Sequence, residues 1–293
     1  MNSNYSFVWI LLAAALWGTS GVTAAFLYSA GLTPLSVSFY RLAIASAGLL
    51  AGLYLVRGGS ARLTPRLRLL IFGMGAAQVL YQLSFFAALP SVGVTVATLV
   101  ALCTAPIFVT LLALALGQER FTAQLGLILA LALTGTYLLT GGGDVSLDSS
   151  DWRGVSLALC SAASYAGFVL LSREVRTLPP LQPTAWAFSI GAVLLLPFTA
   201  GSLTLPSPSA LGALLYLGLI PTALSYALFV WGLRNTPATS ASVLTLAEPL
   251  VATLLAWLLL GETLGRVGLL GAALLMTALT LSGLRGRRKL THP

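Results

Sequence analysis

The sequence predicts an all-α integral membrane protein with ten transmembrane helices, arranged as two five-helix repeats of opposite topology. Three observations carry that prediction. The chain is 58% hydrophobic and only 8% charged, against roughly half and roughly a quarter in soluble domains, so it could not cover a water-exposed surface. Apolar stretches recur from end to end at the length of about 20 residues that spans a hydrocarbon core about 30 Å thick. They are continuous rather than alternating, which excludes a barrel. The third observation is a stretch written twice. Pro106, Thr110, Leu111, Leu112, Ala113 and Glu119 spell P-x3-T-L-L-A-x5-E, and Pro249, Thr253, Leu254, Leu255, Ala256 and Glu262 spell it again. Leu and Ala matches are cheap in so apolar a chain, but a Pro and a Glu at identical spacing are not, so one half is a copy of the other.

Taken in order, the runs between polar, Gly and Pro punctuation fall at about 6–28, 34–56, 67–89, 92–116, 122–140, 153–172, 183–200, 209–232, 238–260 and 264–284. The start Met1-Asn2-Ser3-Asn4-Tyr5 has no basic region, so the first run is expected to be a retained span. The longest break runs from Gly141 through Asp151 near the midpoint. It divides a first repeat (1–140) from a second repeat with a basic cytoplasmic tail (152–293), with 141–151 as an external linker. Trp9, Trp152 and Trp186 near span ends suit interfacial anchoring.

Orientation follows from the basic residues. Arg57, Arg62, Arg66, Arg68, Arg120, Arg173, Arg176, Arg234, Arg285, Arg287, Arg288 and Lys289 share one side if both termini are cytoplasmic, which is 12 of 15. Arg153 and Arg266 fall on the other side and Arg41 inside span two, while Asp144, Asp148 and Asp151 stand in the external linker. The net charge of +8 is therefore an insertion signal rather than a nucleic-acid patch. Because five spans per half is odd, the second copy enters the membrane inverted, an arrangement of secondary transporters that places a site near the midplane between the halves.

Few residues offer chemistry. Cys103 and Cys160 lie inside apolar runs and His292 is next to last, so neither a disulfide framework nor a metal site is called for. No nucleotide motif is present, and no cofactor is expected. The expected partners are a small-molecule substrate and the lipid bilayer, without nucleic acid, and a monomer is compatible with that. Pro106 and Pro249 sit in mid-span and predict helix kinks, serving either packing or a binding region. Glu248, just before Pro249, is the one acidic residue deep in a span. It could hold a proton, meet a substrate amine, or accept hydrogen bonds from a neighbouring helix. Ala105 holds the matching position in the first repeat, so the duplication itself does not require the charge. Arg41 is expected to snorkel toward the external interface.

Span three carries Gln78, Tyr81, Gln82 and Phe85 on one helical face, and span eight carries Thr222, Ser225, Tyr226 and Phe229 at the same spacing. Trp17, Ser20 and Gly21 in span one add to them, as do Ser161, Ser164, Tyr165 and Phe168 in span six. Lipid rejects such faces, so they point to a bundle interior or a wet cavity, though interhelical hydrogen bonding alone would also explain them. Gly48-x3-Gly52 and Gly265, Gly268 and Gly271 suit close helix packing.

Several motifs resemble the drug/metabolite transporter superfamily, and in particular ten-span bacterial exporters built from two EamA-type repeats. They are Leu16-Trp17-Gly18-Thr19-Ser20, Leu32-Thr33-Pro34 leading to Tyr40-Arg41, and Ala247-Glu248-Pro249 through Leu255-Ala256-Trp257-Leu258-Leu259-Leu260-Gly261-Glu262. Ala105-Pro106 and Gly117-Gln118-Glu119 are a looser first-half version, lacking the Glu before Pro. The resemblance covers nearly the whole chain and implies alternating access and export of small metabolites across the bacterial cytoplasmic membrane. The aromatic and amide lining is similar to the aromatic amino-acid exporter branch. Trp17, Tyr81, Tyr165 and Tyr226 could stack on a planar side chain while Gln78 and Gln82 bond polar groups. Export of drug-like cations, with Glu248 as counter-charge, is the alternative. An intramembrane enzyme would need clustered His, Asp, Glu or Ser with a base, which the sequence does not offer.

Overall fold

The computed structural model describes residues 5–55, 61–140, 152–179, 181–260 and 265–291. The linker at 141–151, Arg57, Gly261, Glu262 and His292 lie outside the described residues. Nine described helices are long and apolar enough to cross a membrane: α1 (Ser6–Ser29), α2 (Pro34–Leu55), α3 (Pro65–Val94), α4 (Val96–Ala115), α6 (Trp152–Glu174), α7 (Leu181–Thr199), α8 (Pro208–Leu233), α9 (Ala238–Leu258) and α10 (Arg266–Arg285). A shorter apolar helix, α5 (Ala123–Leu139), completes the first five. Helical backbone continues past α9 to Leu260 and past α10 to Thr291, so the basic tail prolongs the last helix beyond the expected end at 284.

The helix starts are written locally. Thr64 and Ser207 each precede a proline, and their side chains accept from the backbone N–H of Leu67 (3.3 Å) and Ala210 (3.3 Å). A hydroxyl cap followed by proline at the first helical position satisfies an orphan donor and presets φ. The two caps are matched positions, so α3 and α8 begin identically.

Packing follows the duplication throughout. The first half of α1 lies on α8 and α9, and α6 lies on the α3–α4 stretch. Helix α2 pairs with α7 and α5 with α10, while α2 meets α8 as α7 meets α3. Exchanging each helix for the one five places along maps this set of pairs onto itself, so a pseudo-two-fold axis relates the halves. The axis is visible at single residues. Ser46 and Ser189, 143 positions apart, are matched residues, and their hydroxyls bond to each other. Likewise Gly75 on α3 meets the Ala187 carbonyl, and Gly218 on α8 meets Ile44. A methyl at either glycine would come within 2.7 and 2.5 Å of those neighbours. Small residues let helices approach this closely where lipid supplies no hydrophobic drive.

Four interruptions break the regularity. Gly93, at φ 74° and ψ 169°, separates α3 from α4 in a conformation that side chains with a Cβ disfavour. In α1, the Thr19 N–H and hydroxyl both bond the Leu16 carbonyl (3.2 and 2.7 Å), and Tyr216 donates to the Thr19 hydroxyl at 2.9 Å. In α8, residues Leu219–Leu224 form a π-helical turn around Pro221. A proline ring clashes with the carbonyl four residues back and offers no donor to it. Here the wider turn relieves the clash, and the Thr222 hydroxyl takes the freed Leu217 carbonyl at 2.7 Å. In α9 the helix divides between Leu244 and Ala247. The two prolines expected to kink therefore differ: the backbone keeps helical dihedrals through Pro106 but opens just before Pro249.

Candidate functional site

Between the halves lies a cavity of ≈ 110 Å³. Trp17 and Ser20 of α1, Arg41 of α2, Tyr81 of α3 and Ala101, Leu102, Ala105 and Pro106 of α4 line it. The second half adds Ala162 and Tyr165 of α6, Tyr226 of α8, and Thr245, Leu246 and Glu248 of α9. Every contributing helix except α2 has its repeat partner in the wall. Leu102 with Thr245, and Ala105 with Glu248, are matched pairs.

Tyr226 forms the centre. Trp17 (4.9 Å between ring centroids), Phe188 (4.9 Å) and Phe168 (5.5 Å) surround it edge-on, a geometry that sets positive ring edges against π faces. The Gln78 amide donates to the Tyr226 hydroxyl at 3.3 Å. Tyr81 and Tyr165 lie 6.2 Å apart, and the Ser161 hydroxyl bonds the Tyr81 carbonyl at 3.0 Å, fixing α6 to α3 beside the cavity.

Of the residues singled out from sequence, Trp17, Ser20, Tyr81, Tyr165, Tyr226, Glu248 and Pro106 come together in the lining. Others do not. Ser164, Ser225 and Thr222 donate to backbone carbonyls of Cys160, Pro221 and Leu217 in their own helices. Gln78 and Gln82 are buried outside the lining, and Pro249 follows Glu248 without lining the cavity. Arg41 is a correction: instead of snorkelling to the external interface, it faces the cavity, and its Nε is buried without a hydrogen-bond partner. Sequence reasoning missed Thr245 and Leu246, which line the cavity because α9 opens there.

The cavity region is rich in unmet polar capacity. Trp17 Nε1, Gln78 Oε1 and both amide atoms of Gln82 are buried without partners among the described residues. Such groups are costly unless a ligand or water meets them. Two helix segments also begin beside the cavity, at Ser20 and at Ala247, and the Glu248 N–H bonds the Thr245 carbonyl at 3.0 Å across the second break.

A second polar cluster sits at the far end of α4. Glu119 is buried and accepts from the Thr239 N–H (3.1 Å) and hydroxyl (2.6 Å) at the start of α9. Arg173 approaches it at 3.7 Å, and the buried Arg285 lies within its electrostatic reach.

Broken helices lining a cavity between inverted halves define a multi-pass membrane transporter. Comparison with known proteins makes the class specific. The model of the EamA-like transporter family matches this chain twice, over residues 4–141 and 152–284, and the chain belongs to that family. It is 35% identical to the "Uncharacterized transporter YwfM" of Bacillus subtilis, across 99% of this chain and 98% of that one. It is 29% identical to a "Probable terminal-alkyne amino-acid exporter" of Streptantibioticus cattleyicolor, across 96% and 95%. A protein of known crystal structure shares the fold with a TM-score of 0.84 at 22% identity, over 97% of this chain and 98% of that one.

Proposed function

We propose that this transporter exports amino acids, aromatic or apolar ones, out of the bacterial cytoplasm by alternating access. The observation that carries the reading is a cavity walled by Trp17, Tyr81, Tyr165 and Tyr226, with the buried Trp17 Nε1 an unpaired donor among its rings. Aromatic walls suit an apolar or planar side chain, and a few fixed polar groups suit a backbone head. The similarity to a probable amino-acid exporter supports the same substrate class. Glu248 favours a second reading, export of drug-like organic cations. Proteoliposomes loaded with phenylalanine, leucine or a quaternary ammonium dye decide between them by counterflow. Exchange of the amino acids is expected, and movement of the dye alone overturns the reading.

Both termini are proposed to be cytoplasmic, with residues 141–151 outside, on the strength of the uneven loop charges. A cysteine introduced at Ser149 is expected to react with an impermeant maleimide on intact cells. Labelling only after permeabilisation would reverse the orientation.

A further inference from the structure

We propose that Arg41 and Glu248 form a two-ended clasp for a free α-amino acid, Arg41 taking the carboxylate and Glu248 the ammonium. The inference rests on the amino-acid reading above and deepens it by naming what recognises the head group. Both charges line the same small cavity, yet neither forms an ion pair with a described residue. Arg41 has its Nε buried and unpartnered. Tyr81 and Tyr226 line the same cavity.

Two opposite charges in one small cavity, without an ion-pair contact, set a condition on the ligand. A lone cation would answer Glu248 and leave Arg41 uncompensated, and a lone anion would do the reverse; an unmatched buried charge is strongly unfavourable. A ligand carrying both charges on substituents of one carbon answers both and leaves the site neutral. The guanidinium fork matches a planar carboxylate bidentately. A carboxylate accepts from an ammonium, and the side chain is left against Trp17, whose Nε1 is also unpartnered, and Tyr165. Neither charge has a charged repeat partner: Ala105 stands opposite Glu248, and Thr184 opposite Arg41. One polar end is thus contributed by each half.

The test uses the purified full-length protein in phenylalanine-loaded proteoliposomes. Labelled phenylalanine counterflow is competed with phenylalaninamide, which lacks the carboxylate, and with N-acetylphenylalanine, which lacks the ammonium. Each analogue is expected to compete at least about tenfold more weakly than phenylalanine, because a polar site left half-paired rejects its ligand. In Glu248→Gln the gap to N-acetylphenylalanine should close while the gap to the amide persists. In Arg41→Gln the pattern should invert, and Arg41→Lys and Glu248→Asp, which keep the charges, should preserve the wild-type order. Variants that lower all three ligands in proportion overturn the clasp. So does a double variant Arg41→Gln/Glu248→Gln that regains full transport, since the charges would then only neutralise each other. If all three ligands compete alike in wild type, the clasp fails and amino-acid export stands. If wild type moves no amino acid at all, both fail.

Discussion

Residues 102–106 of α4 and 245–249 of α9 occupy matched positions in the two repeats, and both walls of the cavity use them. In α4 they read Leu-Cys-Thr-Ala-Pro and in α9 Thr-Leu-Ala-Glu-Pro. The first stays helical through its proline and presents Leu102 and Ala105. The second opens ahead of its proline and presents Thr245 and Glu248. The backbone frame is shared and the chemistry is not. Two-fold repetition builds a closed, well-packed scaffold from one set of packing rules, whereas recognition of an asymmetric molecule needs groups that occur once. In this protein the single-copy groups are Glu248 and Arg41, facing partners that are uncharged in the other half.

The largest expected effect breaks that asymmetry. Glu248→Gln should lower phenylalanine counterflow by about tenfold or more, equivalent to ~1.4 kcal/mol, while Ala105→Ser at the matched position should change it by less than about twofold. Equal losses from the two variants would make the stretch a symmetric packing element. Next come the matched glycines. Gly75→Ala and Gly218→Ala each press a methyl onto the facing helix. Each should cost roughly 1–3 kcal/mol, read as a fall in the melting temperature of the detergent-solubilised protein. A large loss at one and none at the other would show that the two halves do not pack alike.

A smaller effect concerns a feature found only in α8. Thr222→Val copies the residue that the first repeat has there, Val79, and strands the Leu217 carbonyl at a cost of about 1 kcal/mol. Adding Pro221→Ala restores a backbone donor and should recover most of it. If the double variant is no better than the single, the hydroxyl is not compensating for the proline. The smallest effect lies on the axis itself. A double-mutant cycle of Ser46→Ala and Ser189→Ala should give a coupling near 0.6 kcal/mol, typical of interhelical hydrogen bonds in membranes. A coupling of zero would remove that contact from the account of how the halves meet.

How much of this could be read from the chain differs by level. Helix positions were legible because lipid thickness fixes span length, and the longest departure is at the end of α10, where a basic run that hydropathy cannot place continues the helix. The aromatic residues gathered as their helical spacing suggests, since a large ring on an interior face has few other places to go. The hydroxyl residues were harder. Ser164, Ser225 and Thr222 each bond a carbonyl of their own helix, so polarity in a span does not imply a polar partner across it. The direction of Arg41 was not legible at all, because a flexible side chain near a helix end reaches outward or inward according to neighbours that the local sequence does not name. The opening of α9 was half legible: Pro249 signals a disturbed helix, but which turn yields depends on what packs against it.

The carboxylate of Glu119 has a mechanical consequence. It grips Thr239 through two contacts, and Thr239 stands nine residues before Glu248 in the same span. The end of α4 is therefore roped to the first segment of α9, while the cavity's acid stands on the second, beyond the break after Leu244. Hydrogen bonds to a charged group hold at roughly 1.5–3 kcal/mol each. The knot anchors one side of that break, so any movement of Glu248 falls on the turn between the two segments and not on the segment that Glu119 holds.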